Sequence, residues 1–200
     1  MRTIFFDTET SGLKPGQIGQ LTAIIIEGNN ISTRNYFFEM DSIEDGAAEV
    51  THRDLNFYKE ASGGKKFADY ANDIAELFNG STLVAHNLKF DENFLSIELW
   101  RQKINLLPGD RFCTMNYFRD IIKLPNKYGR PGYKNPRLEE VVDFLKIDKD
   151  KVMEYTKQIF GVDCGFHDSR FDTVSMYVAY NLWLEKTNGG NQWQERFLLK

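Results

Sequence analysis

Residues 4–12 read Ile-Phe-Phe-Asp-Thr-Glu-Thr-Ser-Gly, a short apolar and aromatic run that ends in two acids and then a turn. This pattern predicts a buried strand followed by a loop. Because side chains alternate along a strand, Asp7 and Glu9 are expected on the same face at its end. Two such carboxylates attract a cation, although an isolated pair is more often an ordinary solvated strand end.

The residues that follow predict a meander of strands and then an alternation of helices with strands. Gly28 and its neighbours Asn29 and Asn30 offer hairpin-turn chemistry between two strands. Further along, apolar residues recur at helical spacing, and Gly or Pro marks the ends of the runs. The predicted strands are residues 4–7, 21–27, 31–38 and 82–85, and the predicted helices are residues 67–78, 90–100, 114–124, a helix with Asn135 as its N-cap and Pro136 at its first position, and residues 169–185.

The length and composition are those of one ordinary globular domain. The chain has 200 residues, of which 42% are hydrophobic and 27% charged, and its net charge is −4, so a nucleic-acid contact would need a local basic patch. We predict one domain over residues 1–187 and a tail over residues 188–200. The two widely separated cysteines, Cys113 and Cys164, favour reduced thiols, and no apolar run approaches the ~20 residues of a membrane span. We therefore expect a cytoplasmic protein that has no membrane partner.

Three further polar residues lie at the edges of predicted elements. Asp91 begins the helix that follows a short buried strand, and Asp172 lies near the start of the last helix. His167, five residues before Asp172, is expected on the loop that leads into this helix. Taken singly, these residues are well explained as helix caps or surface residues. Together with Asp7 and Glu9, they place four acids near one point, where metal ions would relieve the repulsion, and oxygen ligands select Mg²⁺ or Mn²⁺.

The segments around these residues resemble the motifs of a known family. Residues 6–13 (FDTETSGL), 86–91 (HNLKFD) and 167–172 (HDSRFD) resemble, in order, the three motifs of the DEDDh (DnaQ-like) group of 3′–5′ exonucleases. That group includes the proofreading ε subunit of bacterial DNA polymerase III, and the position of His167 marks its h subgroup. The resemblance covers roughly residues 1–186. It implies an α/β protein with a ribonuclease H-like fold, in which helices flank a mixed five-stranded sheet.

The resemblance also implies roles for individual residues. Asp7, Glu9 and Asp172 would hold the tighter of two Mg²⁺ or Mn²⁺ ions, Asp7 would also bind the second, Asp91 would lie nearby or act through water, and His167 would be the general base. The residues that would contact the terminal nucleotide are Thr10, Leu13 and Phe90. Residues 49–52 resemble a His-Gly-Ile segment of the family, but Arg53 replaces its glycine, which argues against a substrate role for His52.

One stretch departs from the acidic average of the chain. Residues 117–137 contain six basic residues and one acid, with four aromatic residues interleaved. Basic and aromatic side chains together suit a single nucleic-acid strand, through phosphate pairing and base stacking. A solvated loop explains the composition equally well. In the nucleic-acid interpretation, the strand-binding residues are Lys127, Arg130 and Lys134.

The sequence therefore predicts a metal-dependent 3′–5′ exonuclease that releases nucleoside 5′-monophosphates, with single-stranded DNA as the preferred substrate. The alternatives are an exoribonuclease of the RNase T or oligoribonuclease type, and a non-catalytic exonuclease-like module that binds nucleic acid or a polymerase. The complete set of charged residues argues against the module, whereas no residue identifiably reads a 2′-hydroxyl. The expected partners are nucleic acid with a free 3′ end and, from the resemblance to the proofreading subunit, a DNA polymerase subunit.

Overall fold

The computed structural model describes residues 2–14 and 16–188, in which five strands form one mixed sheet. The strands are β1 (Arg2–Thr10), β2 (Ile18–Glu27), β3 (Asn30–Phe37), β4 (Thr82–Ala85) and β5 (Asp110–Cys113). Their order across the sheet is β3-β2-β1-β4-β5. Strand β2 pairs antiparallel with β1 and β3, whereas β4 pairs parallel with β1 and β5. The carboxyl ends of β1, β4 and β5 therefore share one edge of the sheet.

Helices flank this sheet in the described part of the chain. They are α1 (Asp45–Thr51), α2 (Leu55–Ser62), α3 (Ala71–Phe78), α4 (Leu88–Arg101), α5 (Thr114–Ile122), α6 (Leu138–Leu145), α7 (Lys149–Phe160) and α8 (Ser169–Asn188). Short 3₁₀ turns occur at Phe67–Tyr70 and Lys127–Gly129. Among the described residues, no helix is both long and apolar enough to cross a bilayer.

The alternation of side chains along β1 divides the core between the two faces of the sheet. Phe6 points toward α3, where its ring lies 5.1 Å from that of Phe78. Phe5 points the other way, toward α8, and its ring lies 5.0 Å from that of Tyr177. Each fully buried ring of this kind contributes roughly 1.5–3 kcal/mol. By the same alternation, the acids at positions 7 and 9 share the face of Phe5 and so approach α8.

A β-bulge interrupts the pairing of β1 with β2 beside these acids. Glu9 pairs with Gln20, but the next residue, Thr10, pairs with Ile18, so Gly19 is the extra residue. A Cβ atom at Gly19 would lie 2.6 Å from the ring of Tyr58, and only glycine fits there without movement of its neighbours. Bulges bend a strand and re-aim its side chains, which is why they recur next to active sites.

The structure confirms the meander, the strand over residues 82–85 and the long predicted helices, and both cysteines are free. The helix predicted over residues 67–78 begins as a 3₁₀ turn and becomes α-helical at Ala71. Sequence reasoning missed β5, α1, α2 and α7. The missed elements other than α7 are short, from four to eight residues, and tertiary packing rather than local pattern stabilises elements of that length. Of the predicted tail, residues 189–200 lie outside the described residues.

The predicted start of α6 at Asn135 is wrong. The helix begins at Leu138, with Arg137 as its N-cap, and the backbone N–H of Arg137 donates to the Glu140 carboxylate at 2.8 Å. Pro136 stays outside the helix because its carbonyl accepts a hydrogen bond from the ring of His86 instead of an intrahelical N–H. A contact with a residue distant in sequence thus overrides the local capping pattern.

Candidate active site

Three carboxylates converge at the edge of the sheet where β1 and β4 end. Asp7 and Glu9 come from β1, and Asp172 comes from the first turn of α8. One carboxylate oxygen from each residue lies within 4.8 Å of the others. Oxygen atoms this close together favour a bound cation, because their negative charges repel one another without one.

Hydrogen bonds to β2 fix the start of α8 and thereby the position of Asp172. The hydroxyl oxygens of Thr22 and Ser169 are 2.6 Å apart. One residue earlier, the Asp168 carboxylate accepts a hydrogen bond from the side-chain amide of Gln20 at 3.2 Å. These contacts hold the first turn of the helix against the sheet, so that Asp172 faces the acids of β1.

Burial raises the pKa of all three carboxyl groups. It is the largest cause for Asp7, whose pKa lies well above 3.8, and the charges of Asp91 and Asp172 raise it further. Burial and then the charge of Glu9 raise the pKa of Asp172. For Glu9, burial outweighs the opposing charge of Arg53 and raises the pKa to about 7. Among the described residues, the buried Oδ1 atom of Asp172 has no hydrogen-bond partner. An unpartnered carboxylate oxygen beside two further carboxylates fits a divalent cation such as Mg²⁺ or Mn²⁺.

Asp91 lies beside this group rather than within it. The residue is buried in the first turn of α4. Its Oδ1 atom accepts hydrogen bonds from the backbone N–H of Thr8 at 3.1 Å and from the Thr8 hydroxyl at 2.8 Å. Burial nevertheless raises the pKa of Asp91 to about 7. The structure thus brings three of the four predicted metal residues together and leaves the fourth next to them.

A cavity of about 350 Å³, which we call the reaction cleft, opens over Asp7 and Asp172. Its lining includes Asp7, His86, Met115, Asn135, Arg137, His167 and Asp172. His167 is exposed and has a left-handed backbone, with φ 68°, on the turn before α8, as expected from the sequence. The backbone N–H of His167 donates to Oδ2 of Asp172 at 3.1 Å. This turn presents the imidazole ring to the cleft beside the carboxylates.

A second charged cluster lies next to the site, and sequence reasoning did not predict it. Asp168, only 3% exposed, accepts hydrogen bonds from the Arg170 guanidinium at 2.6 and 2.9 Å and forms an ion pair with Arg53. Arg53 also donates to the Gln20 amide oxygen at 2.7 Å, and it lies 4.6 Å from the ring centre of Phe57. Burial acts to raise the pKa of Asp168, but Arg170 and Arg53 lower it to about 2. In the sequence, the one sign of this cluster was Arg53, at a position where the family has glycine.

Leu13 is the most exposed of the residues predicted to contact a terminal nucleotide. Its side chain is 84% exposed, on the loop that joins β1 to β2. Two residues of α4 anchor this loop, because Arg101 donates to the carbonyl of Gly16 at 2.6 Å and Glu98 accepts the N–H of Ile18 at 3.1 Å. An apolar side chain held out on an anchored loop can meet the flat face of a base.

The other two predicted nucleotide contacts are less accessible. Thr10 is buried, and its hydroxyl donates to the carbonyl of Gly12 at 2.9 Å. Phe90 is half-buried, with its ring 4.8 Å from that of Phe94. Both side chains are thus less open to a ligand than that of Leu13.

His86 fastens the basic segment to the reaction cleft. Its Nε2 atom lies 3.0 Å from the carbonyl oxygen of Pro136, which can only accept, so Nε2 carries the proton. Its Nδ1 atom then accepts a hydrogen bond from the Thr114 hydroxyl at 3.1 Å. Burial lowers the pKa of His86 to about 4, so the ring is neutral near pH 7. This anchor places Asn135 and Arg137 in the wall of the cleft. Sequence reasoning did not assign either residue to the site.

The three basic residues selected from the sequence differ in availability. Lys134 pairs with Glu140, the N3 residue of α6. Lys127 and Arg130 are exposed and form no ion pair with the described residues. Lys127 and Arg130 are thus free for a phosphate, whereas Lys134 already has an acidic partner.

Known proteins resemble this chain in sequence and in fold. A family model described as Exonuclease matches residues 4–151. The DNA polymerase III subunit epsilon of Buchnera aphidicola is 30% identical over 162 residues, which cover 74% of this chain and 63% of that protein. The 3′-5′ exonuclease DinG of Bacillus subtilis is 25% identical over 155 residues, which cover 75% of this chain and 16% of that protein. The chain therefore spans less than two thirds of the length of each relative.

A solved structure agrees with the fold. E. coli exonuclease I in complex with a dT13 oligonucleotide superposes with a TM-score of 0.68 at 17% identity, over 94% of this chain and 42% of that chain. At this identity the likeness shows the fold alone. It confirms the prediction of a ribonuclease H-like α/β fold, with helices on a mixed five-stranded sheet.

Proposed function

The chain belongs to the exonuclease family, and we propose that it is a metal-dependent enzyme that removes nucleotides from the 3′ ends of single-stranded DNA. The observation that carries this proposal is the convergence of Asp7, Glu9 and Asp172 within 4.8 Å, with one buried oxygen of Asp172 unpaired in the described chain. Relatives named 3′-5′ exonuclease and DNA polymerase III subunit epsilon support the direction of attack.

The three converging carboxylates would hold two Mg²⁺ or Mn²⁺ ions, with Asp91 next to them. When bound, such ions lower the pKa of a water molecule and stabilise the negative charge of the leaving oxygen. The donor set supports this choice of metal, because it contains carboxylate oxygens and no thiolate, whereas zinc sites favour cysteine and histidine. The carboxylates themselves must be ionised to serve as ligands, so their raised pKa values predict that protons compete with the metal.

We assign His167 as the general base. As the water oxygen attacks the phosphorus atom and the bond to the leaving 3′ oxygen breaks, neutral imidazole takes the proton of the water. The near-neutral pKa range of histidine suits this task. The N–H bond from the His167 backbone to Asp172 supports the assignment, since it ties the turn that carries the base to the proposed metal site.

The substrate contacts are proposed on both sides of the carboxylates. The terminal base would pack against Leu13, the exposed apolar residue of the β1–β2 loop. Lys127 and Arg130 would pair with phosphates, and Lys134 would contribute less because Glu140 already pairs with it. A polymerase partner and a cytoplasmic location remain predictions.

The test incubates the purified protein and Mg²⁺ or Mn²⁺ with 5′-labelled DNA and RNA oligomers of the same sequence. We expect a ladder that shortens from the 3′ end, release of nucleoside 5′-monophosphates, and faster cleavage of DNA. Asp7→Asn is the matched control and should leave the oligomer intact. Faster cleavage of RNA would instead favour the exoribonuclease, and binding without any cleavage would favour the non-catalytic module.

A further inference from the structure

A second cavity, of about 660 Å³, adjoins the reaction cleft at the carboxyl ends of β4 and β5. The two cavities share Met115 and Asn135, so they are neighbours on the surface. Four asparagines and two basic residues line the second cavity, which we call the asparagine groove. They are Asn87, Lys89, Asn93, Arg111, Asn116 and Asn135.

The asparagine side chains of this groove are available to a ligand. All four residues are exposed, and within residues 2–14 and 16–188 none of their amides forms a side-chain hydrogen bond. An amide combines N–H donors with a carbonyl acceptor, and nucleobase edges present the same combination, whereas phosphates only accept. The acid that lines the groove, Glu92, is already bonded to Arg111 at 2.7 Å. The groove therefore suits the edges of bases better than a cation or an isolated phosphate.

The order of the strands indicates the direction in which a bound nucleic acid would run. The loop that carries Leu13 joins β1 to β2 on one side of β1, and β4 and β5 lie on the other side. The three carboxylates stand between them. A strand whose terminal base meets Leu13, whose scissile phosphate meets Asp7 and which runs on in the same direction therefore passes over the ends of β4 and β5. The asparagine groove lies along that path.

We propose that the asparagine groove binds the unpaired bases upstream of the scissile phosphate, so that the preferred substrate is a single strand long enough to fill it. This inference rests on the proposed function. The amides of Asn93 and Asn116 bond to base edges that a duplex would commit to its complementary strand. Lys89, exposed in the first turn of α4, pairs with a phosphate. His86 supports one wall of the groove, because it holds the backbone next to Asn135.

The test compares the double variant Asn93→Ala/Asn116→Ala with the wild type on single strands of increasing length. Asn72→Ala is the matched control, because Asn72 is exposed on α3 and lines neither cavity. We expect kcat/KM of the double variant to fall about tenfold on a long strand, mainly through KM, since two hydrogen bonds are lost. The loss should shrink on a dinucleotide, which is too short to reach along the groove. The control should behave as the wild type.

Two results would overturn the inference: an equal loss on the dinucleotide and the long strand, or no loss on the long strand. Binding of labelled single strands to the same proteins, measured by fluorescence anisotropy, separates this failure from failure of the proposed function. If the wild type cleaves no oligomer, the proposed function fails. In that case, weaker binding of the long strand by the double variant still supports the groove, and unchanged binding overturns it.

Discussion

Asp168 and Asp172 lie four residues apart at the start of α8, yet they are in opposite electrostatic states. Burial acts to raise the pKa of both. Asp168 bonds to Arg170 and pairs with Arg53, and these cations hold its pKa at about 2. Asp172 faces Glu9 and other acids, its pKa is raised, and its Oδ1 atom has no partner among the described residues.

The difference between the two acids shows that partners, rather than burial, decide the state of a buried carboxylate. The network around Asp168 is complete without a ligand, because two guanidinium groups face its one carboxylate, and this suits a structural role. Within residues 2–14 and 16–188, no basic side chain forms an ion pair with the carboxylates around Asp172, so this group becomes complete when a cation binds. A fold that keeps such a group beside a cleft holds a site prepared for a ligand.

The largest expected effect comes from neutralising the incomplete group. Asp172→Asn should lower kcat by on the order of 10²–10³-fold, because the variant loses charge at the point where metal ions must bind. Its stability without metal should not fall, since repulsion among the acids is relieved. Asp73→Asn, an exposed change on α3, is the control for both measurements. Retention of more than about a tenth of wild-type turnover at saturating Mg²⁺ would contradict the metal assignment.

Neutralising the complete network should instead reduce stability. Asp168→Asn leaves the guanidinium groups of Arg53 and Arg170 without their shared anion, and we expect the free energy of unfolding to fall by about 3 kcal/mol. Urea unfolding of the wild type and the variant measures this change. Asp163→Asn, which breaks an exposed pair with Lys157, is the control and should change stability little. An Asp168→Asn variant as stable as the wild type would show that the network is not structural.

His167 directly precedes Asp168 on the turn before α8, and it tests whether this turn carries the chemistry. His167→Ala should lower kcat by roughly 10²-fold. With Mg²⁺ saturating at every pH, so that the carboxylates stay ionised, the wild-type rate should rise with pH as the base loses its proton and then level off, and the alanine variant should lose that rise. If the variant keeps the same rising limb of the pH–rate profile, the base is another group.

Metal binding should stabilise the protein through the group around Asp172 and should not depend on the network around Asp168. Mg²⁺ or Mn²⁺ at a tenfold excess over its dissociation constant should add about 1.4 kcal/mol to the free energy of unfolding. Thermal unfolding with the metal and with EDTA measures this gain, which Asp172→Asn should lose. Absence of any metal effect on the wild-type protein would argue against a cation site.

The stability of the metal-free protein should respond to pH. Glu9 and Asp91 have pKa values of about 7 in the folded protein, against ordinary values of 4.5 and 3.8. Between these values the folded state binds more protons than the unfolded state, so stability should fall as the pH rises from about 4 to about 7. Asp168, with a pKa of about 2, acts in the opposite sense, and its contribution is lost as the pH falls from 3.8 toward 2.

Urea unfolding in EDTA checks this response. The free energy of unfolding should be higher at about pH 5 than at about pH 7. Mg²⁺ binds the ionised carboxylates and therefore stabilises the protein more at about pH 7 than at about pH 5, so saturating Mg²⁺ should reduce or reverse the difference. Greater metal-free stability at the higher pH would mean that the acids are better compensated than the structure indicates.

Much of the candidate site was visible in local sequence patterns. The alternation in residues 4–12 was enough to put Asp7 and Glu9 on one face of a strand, and the turn before the last helix was enough to put His167 outside it. Sequence reasoning failed where a distant contact overrides a local pattern. The capping pattern of Asn135 and Pro136 predicted a helix start that His86 prevents, by binding the Pro136 carbonyl from 50 positions away.

The sequence by itself determined the chemistry of this protein: which groups are acidic, how they alternate along β1, and which family the three motifs resemble. Only the tertiary structure decided which of these groups would be compensated. Asp168 meets Gln20 and Arg53 across 148 and 115 positions of the chain, and the asparagine groove joins residues of α4, α5 and the loop before α6. Local propensity acts over a few residues, whereas the charge balance of a buried carboxylate depends on whatever the packed sheet brings beside it. That balance made Asp168 a structural anion and left Asp172 open to a cation.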